Sequence, residues 1–393
     1  MKAPPGLPGE CWPTRSQIWL LRAALLSGPP ALQAWQIWKK HASDLDSLDA
    51  GSRRLLPLLF GNLRANRVSD PLMVQLKATY RQTWYRNQNS FHQMAEVLET
   101  LQSAGISTLI LKGAALAVLH YHDLGLRPME DFDILVPTAQ IAPTFAELKR
   151  LGWRCVSPIA DLAHLTGVHA LNFVREDRRH IDLHWNVLWE ACFPGADDAF
   201  WAGAVPARVN HVATLALNPT DQLLHVCVHG AKLNLVPPVR WAADAAQILR
   251  TSARAIDWQR LVELAARLRL SLPLHDTLYF LQAELEAPIP AAVIEALAAV
   301  PVVAADREFY RLKVSRRGLL GDLPVLWQHY RLTAQATHQA ATPSGFARYL
   351  RVAYELEQLR QVPGFVLHKA ARRVRAVVGR PRPVEPDTKS IGG

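Results

Sequence analysis

The chain has 393 residues, half of them hydrophobic and 20% charged, with 44 Lys plus Arg against 34 Asp plus Glu. That composition excludes collagen, a coiled coil or a disordered chain, and the length suffices for a large core and two to three domains. The net charge of +10 favours a phosphate-bearing partner, a nucleic acid or an anionic membrane surface, and is silent about fold. Cys11, Cys155, Cys192 and Cys227 lie far apart with no CxxC pair, so reduced thiols in a cytoplasm are expected rather than a disulfide scaffold or zinc ribbon. Met1 to Gly9 does not read as a secretory signal, and no apolar run is long enough to predict a membrane-spanning helix.

Residues 1–104 read as an N-terminal helical region. Ile18, Leu20, Leu21 and Leu25 form a helical stripe that Gly28-Pro29-Pro30 breaks. Leu32, Trp35 and Trp38, then Leu55, Leu58, Leu59 and Leu63, then Phe91, Met94, Val97, Leu98 and Leu101 repeat the pattern and predict core faces. At Gly105 the grammar changes. Ser107 to Leu111 predicts a buried strand, Ala114 to His120 a helix, Phe132 to Val136 a strand, and Ala139 to Leu151 a helix. Ala170 to Val174 and His180 to Leu188 predict two strands flanking the charged turn Arg175 to Arg179. Residues 105–215 thus form an α/β core. From 216 to 368 the pattern is helical again. Asn218 or Thr220 caps a first helix that Pro237-Pro238 ends, Arg240 to Arg250 and Ile256 to Leu268 follow, and Pro288-Ile289-Pro290 is a hinge candidate. Residues 369–393 are expected to be a basic, disordered tail; Lys and Arg crowd 369–382 without an acidic residue, which suits polyanion contact or a merely solvated face.

Three short motifs carry chemistry. In Asp131-Phe132-Asp133, strand alternation puts both carboxylates on one face while Phe132 and Ile134 pack behind. Such a pair is either a solvated strand end or a site for a hard cation between repelling charges, and Mg²⁺ (or Mn²⁺) suits that donor set. In Ile181-Asp182-Leu183-His184-Trp185, Asp182 and His184 share a face, and a third carboxylate would complete a two-metal site. In Leu111-Lys112-Gly113-Ala114, a strand ends at a helix start, which offers backbone N–H groups and a cation to phosphate. His225 and His229 stand at i, i+4 without the Glu of a zinc-protease helix, so a structural or substrate-contacting pair is expected. Arg240 and Asp244, also i, i+4, are expected to form a surface ion pair. His184 is either a partner of the carboxylates or a satisfied core histidine; His164 and His169 receive no role.

The run LKGAALAVLHYHDLGLRPMEDFDILVP, followed about fifty residues later by HIDLHW and then by LLHVCVHG…RWAADAAQIL, resembles the uncharacterised bacterial nucleotidyltransferase-like family of the DNA polymerase β-type superfamily. The resemblance implies an α+β fold: a small mixed sheet with flanking helices, between N- and C-terminal helical regions. It implies Gly113 as the turn, Asp131, Asp133 and Asp182 as ligands of Mg²⁺, and Lys112, Gly113, Ala114 and Arg127 near the nucleotide. Arg127 either meets the triphosphate or braces its loop through Glu130 or Asp123. His184, His225, His229, Arg240 and Asp244 would flank the site or face the acceptor. Ala114 departs from the superfamily's usual Gly-Gly or Gly-Ser turn, so a phosphate-binding serine is missing. The implied activity is transfer of an NMP group, AMP first among them, from an NTP donor to a small-molecule, peptide or protein acceptor. Two other readings stay open: an inactive relative that binds nucleic acid or a membrane surface, and a sugar or phosphoryl transferase in natural-product or polysaccharide biosynthesis.

Overall fold

The computed structural model describes residues 7–41, 44–157, 167–176, 180–233, 239–316, 318 and 320–378. His164, Pro237-Pro238, the end of the charged turn (177–179) and the last part of the basic tail lie outside the described residues.

Five helices come first: α1 (Arg15–Leu25), α2 (Pro29–His41), α3 (Ala50–Arg53), α4 (Leu56–Ala65) and the 31-residue α5 (Met73–Ser103). Thr14 and Gln17 close a reciprocal capping box at the start of α1, which satisfies two of the backbone donors a helix start leaves open. Behind that cap, Ile18, Leu20, Leu21 and Leu25 enter a core shared with Trp35, Trp38, Leu59 and Leu63. The stripe on α5 faces the other way. Phe91, Met94, Val97, Leu98 and Leu101 are buried against the sheet.

The α/β segment runs β1 (Leu109–Ile110), α6 (Lys112–Leu116) with a wider π-type turn through Tyr121, β2 (Phe132–Leu135), α7 (Ile141–Arg150), β3 (Arg154–Cys155), β4 (Ala170–Val174), β5 (His180–His184), α8 (Asp198–Ala202), β6 (Val205–Val209) and β7 (Val212–Ala216). The strands build one seven-stranded mixed sheet in the order β3-β4-β5-β2-β1-β7-β6. The pairs β2/β5 and β1/β7 are parallel, and the remaining pairs are antiparallel. Phe132, Ile134, Leu171, Phe173, Ile181 and Leu183 point from one face into the core that α5 completes. The alternate residues, Asp133, Asn172, Asp182 and His184, therefore point from the other. The mixed sheet set between helical regions is the fold the sequence predicts.

The remaining helices are α9 (Pro219–Gly230), α10 (Arg240–Ser252), α11 (Trp258–Arg267), α12 (Ser271–Leu285), α13 (Ala291–Ala299), α14 (Ala304–Val314), α15 (Leu323–Ala336), α16 (Pro343–Ala353) and α17 (Gln361–Val378). Asn218 caps α9 by accepting from the backbone N–H of Asp221, and the buried Asp221 carboxylate pairs with Arg260 on α11. Helices α9 and α10 meet closely at Gly230. A Cβ there would sit 2.2 Å from Cγ of Trp241, so only glycine admits the indole.

Several local expectations need correction. The helix after β1 begins at Lys112 rather than Ala114, and the strand from His180 ends at His184 rather than Leu188. The hairpin β6/β7 was not foreseen. The Pro288-Ile289-Pro290 segment is no hinge, because Ile289 is buried and its carbonyl accepts from Gln282. Residues 369–378 continue helix α17 instead of opening a disordered tail, and Lys369 lies 4.1 Å above the Tyr354 ring and 3.6 Å from Asp322.

Candidate active site

Register places the acidic residues. Asp133 on β2 and Asp182 on the parallel β5 are direct partners, so their side chains stand side by side on one face. His184 is two residues on, and its Nε2 lies 3.0 Å from Oδ1 of Asp133. Donor atoms of Asp133, Asp182 and His184 all fall within 4.8 Å of one another, the one such group of three among the described residues. Asp131 is not in that group. It precedes the first residue of β2, where strict strand alternation no longer applies, and stands exposed at the rim of the adjoining pocket.

Lys112 enters from the far side of β2. It takes a left-handed backbone conformation, φ +42°, uncommon for a residue with a side chain. Its Nζ lies 2.5 Å from Oδ1 of Asp133 and 3.4 Å from Nε2 of His184. Gly113 lets this turn pass under two side chains: a Cβ there would lie 2.8 Å from Arg127 and 3.0 Å from Met129.

The electrostatics follow from burial and charge. Burial opposes ionisation of Asp133, but Lys112 and His184 outweigh it and hold the carboxyl well below its ordinary range. For Asp182 the pull of the Lys112 charge is the weaker influence. Burial first, then the charge of Asp133, pushes it up to about 7, and its Oδ1 is buried without a hydrogen bond. Burial and the nearby Lys112 charge lower His184. Two carboxylates and an imidazole that one lysine leaves under-neutralised fit a divalent cation, and hard oxygen donors with few other ligands suit Mg²⁺ or Mn²⁺.

Beside this cluster opens a cavity of about 200 Å³ lined by both the sheet and the helical region. Lys112, Asp131 and Asp133 supply one wall, and His225, His229, Lys232 and Arg240 supply the other. His225 is 3% exposed, with Nε2 unpartnered, and its ring lies 6.0 Å from that of the exposed His229.

Arg127 and Asp244 both line this cavity, but their ion-pair partners differ from those expected. Arg127 points neither at open solvent nor at Glu130 or Asp123. Its Nε and Nη2 donate to the two oxygens of Asp244 at 2.8 and 2.9 Å, and both residues are buried. Tyr121 donates a third hydrogen bond to Asp244, at 2.8 Å. Glu130 instead pairs with Arg54, and Asp123 accepts from Tyr80. The expected Arg240–Asp244 surface pair is absent too: Arg240 donates to the Pro128 carbonyl at 2.8 Å. Lys232 and Arg54 line the pocket without having been singled out in the sequence. Lys232 was findable, since His225, His229 and Lys232 follow the i, i+4, i+7 rule of one helix face.

Carboxylates on neighbouring strands of a small mixed sheet face a cavity rimmed by cations, an arrangement that suits nucleotidyl transfer. The profile of the uncharacterised nucleotidyltransferase family matches residues 50–285, more than half of the chain, and the chain belongs to that family. No curated protein matches it. Among solved structures, the solution structure of the antibiotic-resistance factor ANT(2'')-Ia is similar, at 14% identity and a TM-score of 0.33, over 47% of this chain and 92% of that one. Among the described residues, no helix is long and apolar enough to cross a membrane.

Proposed function

We propose that the protein transfers an NMP group, AMP the first candidate, from an NTP to an acceptor hydroxyl or similar oxygen nucleophile, with Mg²⁺ held by Asp133, Asp182 and the rim residue Asp131. Residues 105–215 supply the carboxylates in this reading, and 216–368 close the pocket over them. The observation that carries it is the under-neutralised cluster: Asp182 stands beside Asp133 with one oxygen buried and unpartnered.

In the reaction, the acceptor oxygen forms a bond to the α-phosphorus, the bond from that phosphorus to the β-bridging oxygen breaks, and pyrophosphate leaves. Bound Mg²⁺ supplies charge neutralisation at the α-phosphate and at the oxygens that exchange on it. Asp182 takes the acceptor's proton. His184 orients Asp133. Lys112, already on Asp133, adds positive charge where the phosphates approach. Arg127 spends Nε and Nη2 on Asp244. It fixes the loop before β2 by tying it to α10.

Incubation with each α-³²P-labelled NTP, Mg²⁺ and an extract of small molecules tests the reading. Label transfer that is lost in Asp182→Asn supports it. Transfer from a sugar nucleotide in place of an NTP would move the protein to another transferase class.

A further inference from the structure

The pocket wall opposite the carboxylates carries two cations outside any ion pair among the described residues. Its other basic residues are paired: Arg54 with Glu130, Lys112 with Asp133, Arg127 with Asp244. Among the described residues, Arg240 and Lys232 form no ion pair. Arg240 donates to the carbonyl of Pro128, and the Lys232 ammonium lies 3.3 Å from Nε2 of His229. Both are half-buried. Beneath them, His225 keeps a buried ring nitrogen without a partner. The three belong to α9, α10 and the stretch between them, which the Gly230–Trp241 contact draws together.

Such a site is built for an anion with several charged oxygens. A guanidinium presents a planar fork to phosphate oxygens and an ammonium presents a point charge, so together they match a polyphosphate better than a single carboxylate. We propose that Arg240 and Lys232, with His225 beneath, form the cradle for the β- and γ-phosphates of the donor, and for the pyrophosphate that leaves. The assignment rests on the nucleotidyl-transfer reading for its donor, yet it makes a claim of its own. The helical region that follows the sheet grips the leaving group. Burial lowers Lys232 to about 8 and Arg240 to about 10, so each charge stands at a cost that a bound polyanion relieves.

The cradle is separable from the carboxylates because it needs no metal. Binding of inorganic triphosphate is measured by calorimetry in EDTA at low salt, on the full chain, for wild type, Lys232→Gln and Arg240→Gln. Glutamine at 240 keeps a donor for the Pro128 carbonyl. Circular dichroism and melting confirm that each variant is folded, and Lys232→Gln, whose side chain makes only a rim contact, covers the case in which Arg240→Gln fails to fold. The expected result is wild-type binding that weakens at least tenfold in each folded variant. In Mg²⁺, NTP affinity should fall by a similar factor while NMP affinity holds. Wild-type affinity retained in both folded variants overturns the cradle, and so does no binding of triphosphate to wild type. Neither result touches Mg²⁺-dependent transfer, which label incorporation judges separately.

Discussion

The Arg127–Asp244 pair decides whether a basic residue near the site is a phosphate ligand or a brace. Asp244→Asn keeps the shape and removes the charge. Two charge-assisted bonds at 2.8 and 2.9 Å are then weakened, Tyr121 loses part of its acceptor, and the guanidinium stays buried with no counter-charge. Breaking one side of a buried pair costs about 3–5 kcal/mol. Total stabilities of about 5–15 kcal/mol make that a large fraction of the whole. Arg127→Met should lower stability comparably, by stranding Asp244. Arg127→Met with Asp244→Leu should recover most of the loss, because apolar replacement of a whole buried pair is often neutral. Urea denaturation followed by circular dichroism reads each protein, and the single Asp244→Leu closes the cycle with wild type, Arg127→Met and the double variant to give the coupling. A fully stable Arg127→Met that had lost NTP binding would refute the brace and restore the phosphate-ligand role.

Three further outcomes follow from particular contacts. Asp133→Asn and Asp182→Asn should each abolish Mn²⁺ binding and cut label transfer by about 10²- to 10³-fold, the scale seen when a major electrostatic stabiliser of a transition state is lost. Gly230→Ala forces a Cβ against the buried Trp241 ring and should cost about 1–3 kcal/mol, seen as a lower melting temperature. Asp197 is buried behind β5, accepts from Val187 N–H and Asn186, and is raised by burial to about 6. Its folded pKa exceeds the unfolded value, so its contribution is fullest below about 4 and is lost as pH rises through about 6. Asp197→Asn should therefore gain up to about 3 kcal/mol on wild type between pH 4 and pH 7, read as the change in the urea-midpoint difference; a constant difference would contradict the burial argument.

Strand alternation made the core of the site legible. It paired Asp182 with His184 and set Phe132, Ile134, Ile181 and Leu183 on the opposite face, as the structure has them. Asp131, one residue outside β2, lies beyond the close group of donors but lines the same cavity as Asp133. Helical spacing was right about which faces of α1, α2, α4 and α5 are buried. It misled at Arg240 and Asp244, because i, i+4 neighbours pair only when nothing closer competes, and Arg127, 117 positions away, competes. Partners that distant leave no local trace. The hairpin β6/β7 did leave one. Buried Ala207, Val209, Val212, Thr214 and Ala216 alternate with exposed or half-buried residues around a left-handed Asn210, a short strand–turn–strand signal overlooked beside stronger helical patterns.

The most direct test of the account is calorimetric titration of ATP, GTP, CTP and UTP, with and without Mg²⁺, into wild type and into Asp133→Asn confirmed folded by circular dichroism. The account predicts that at least one NTP binds only with Mg²⁺ and that the variant does not bind it. Binding of no nucleotide, or binding indifferent to Mg²⁺ and to Asp133, would contradict it.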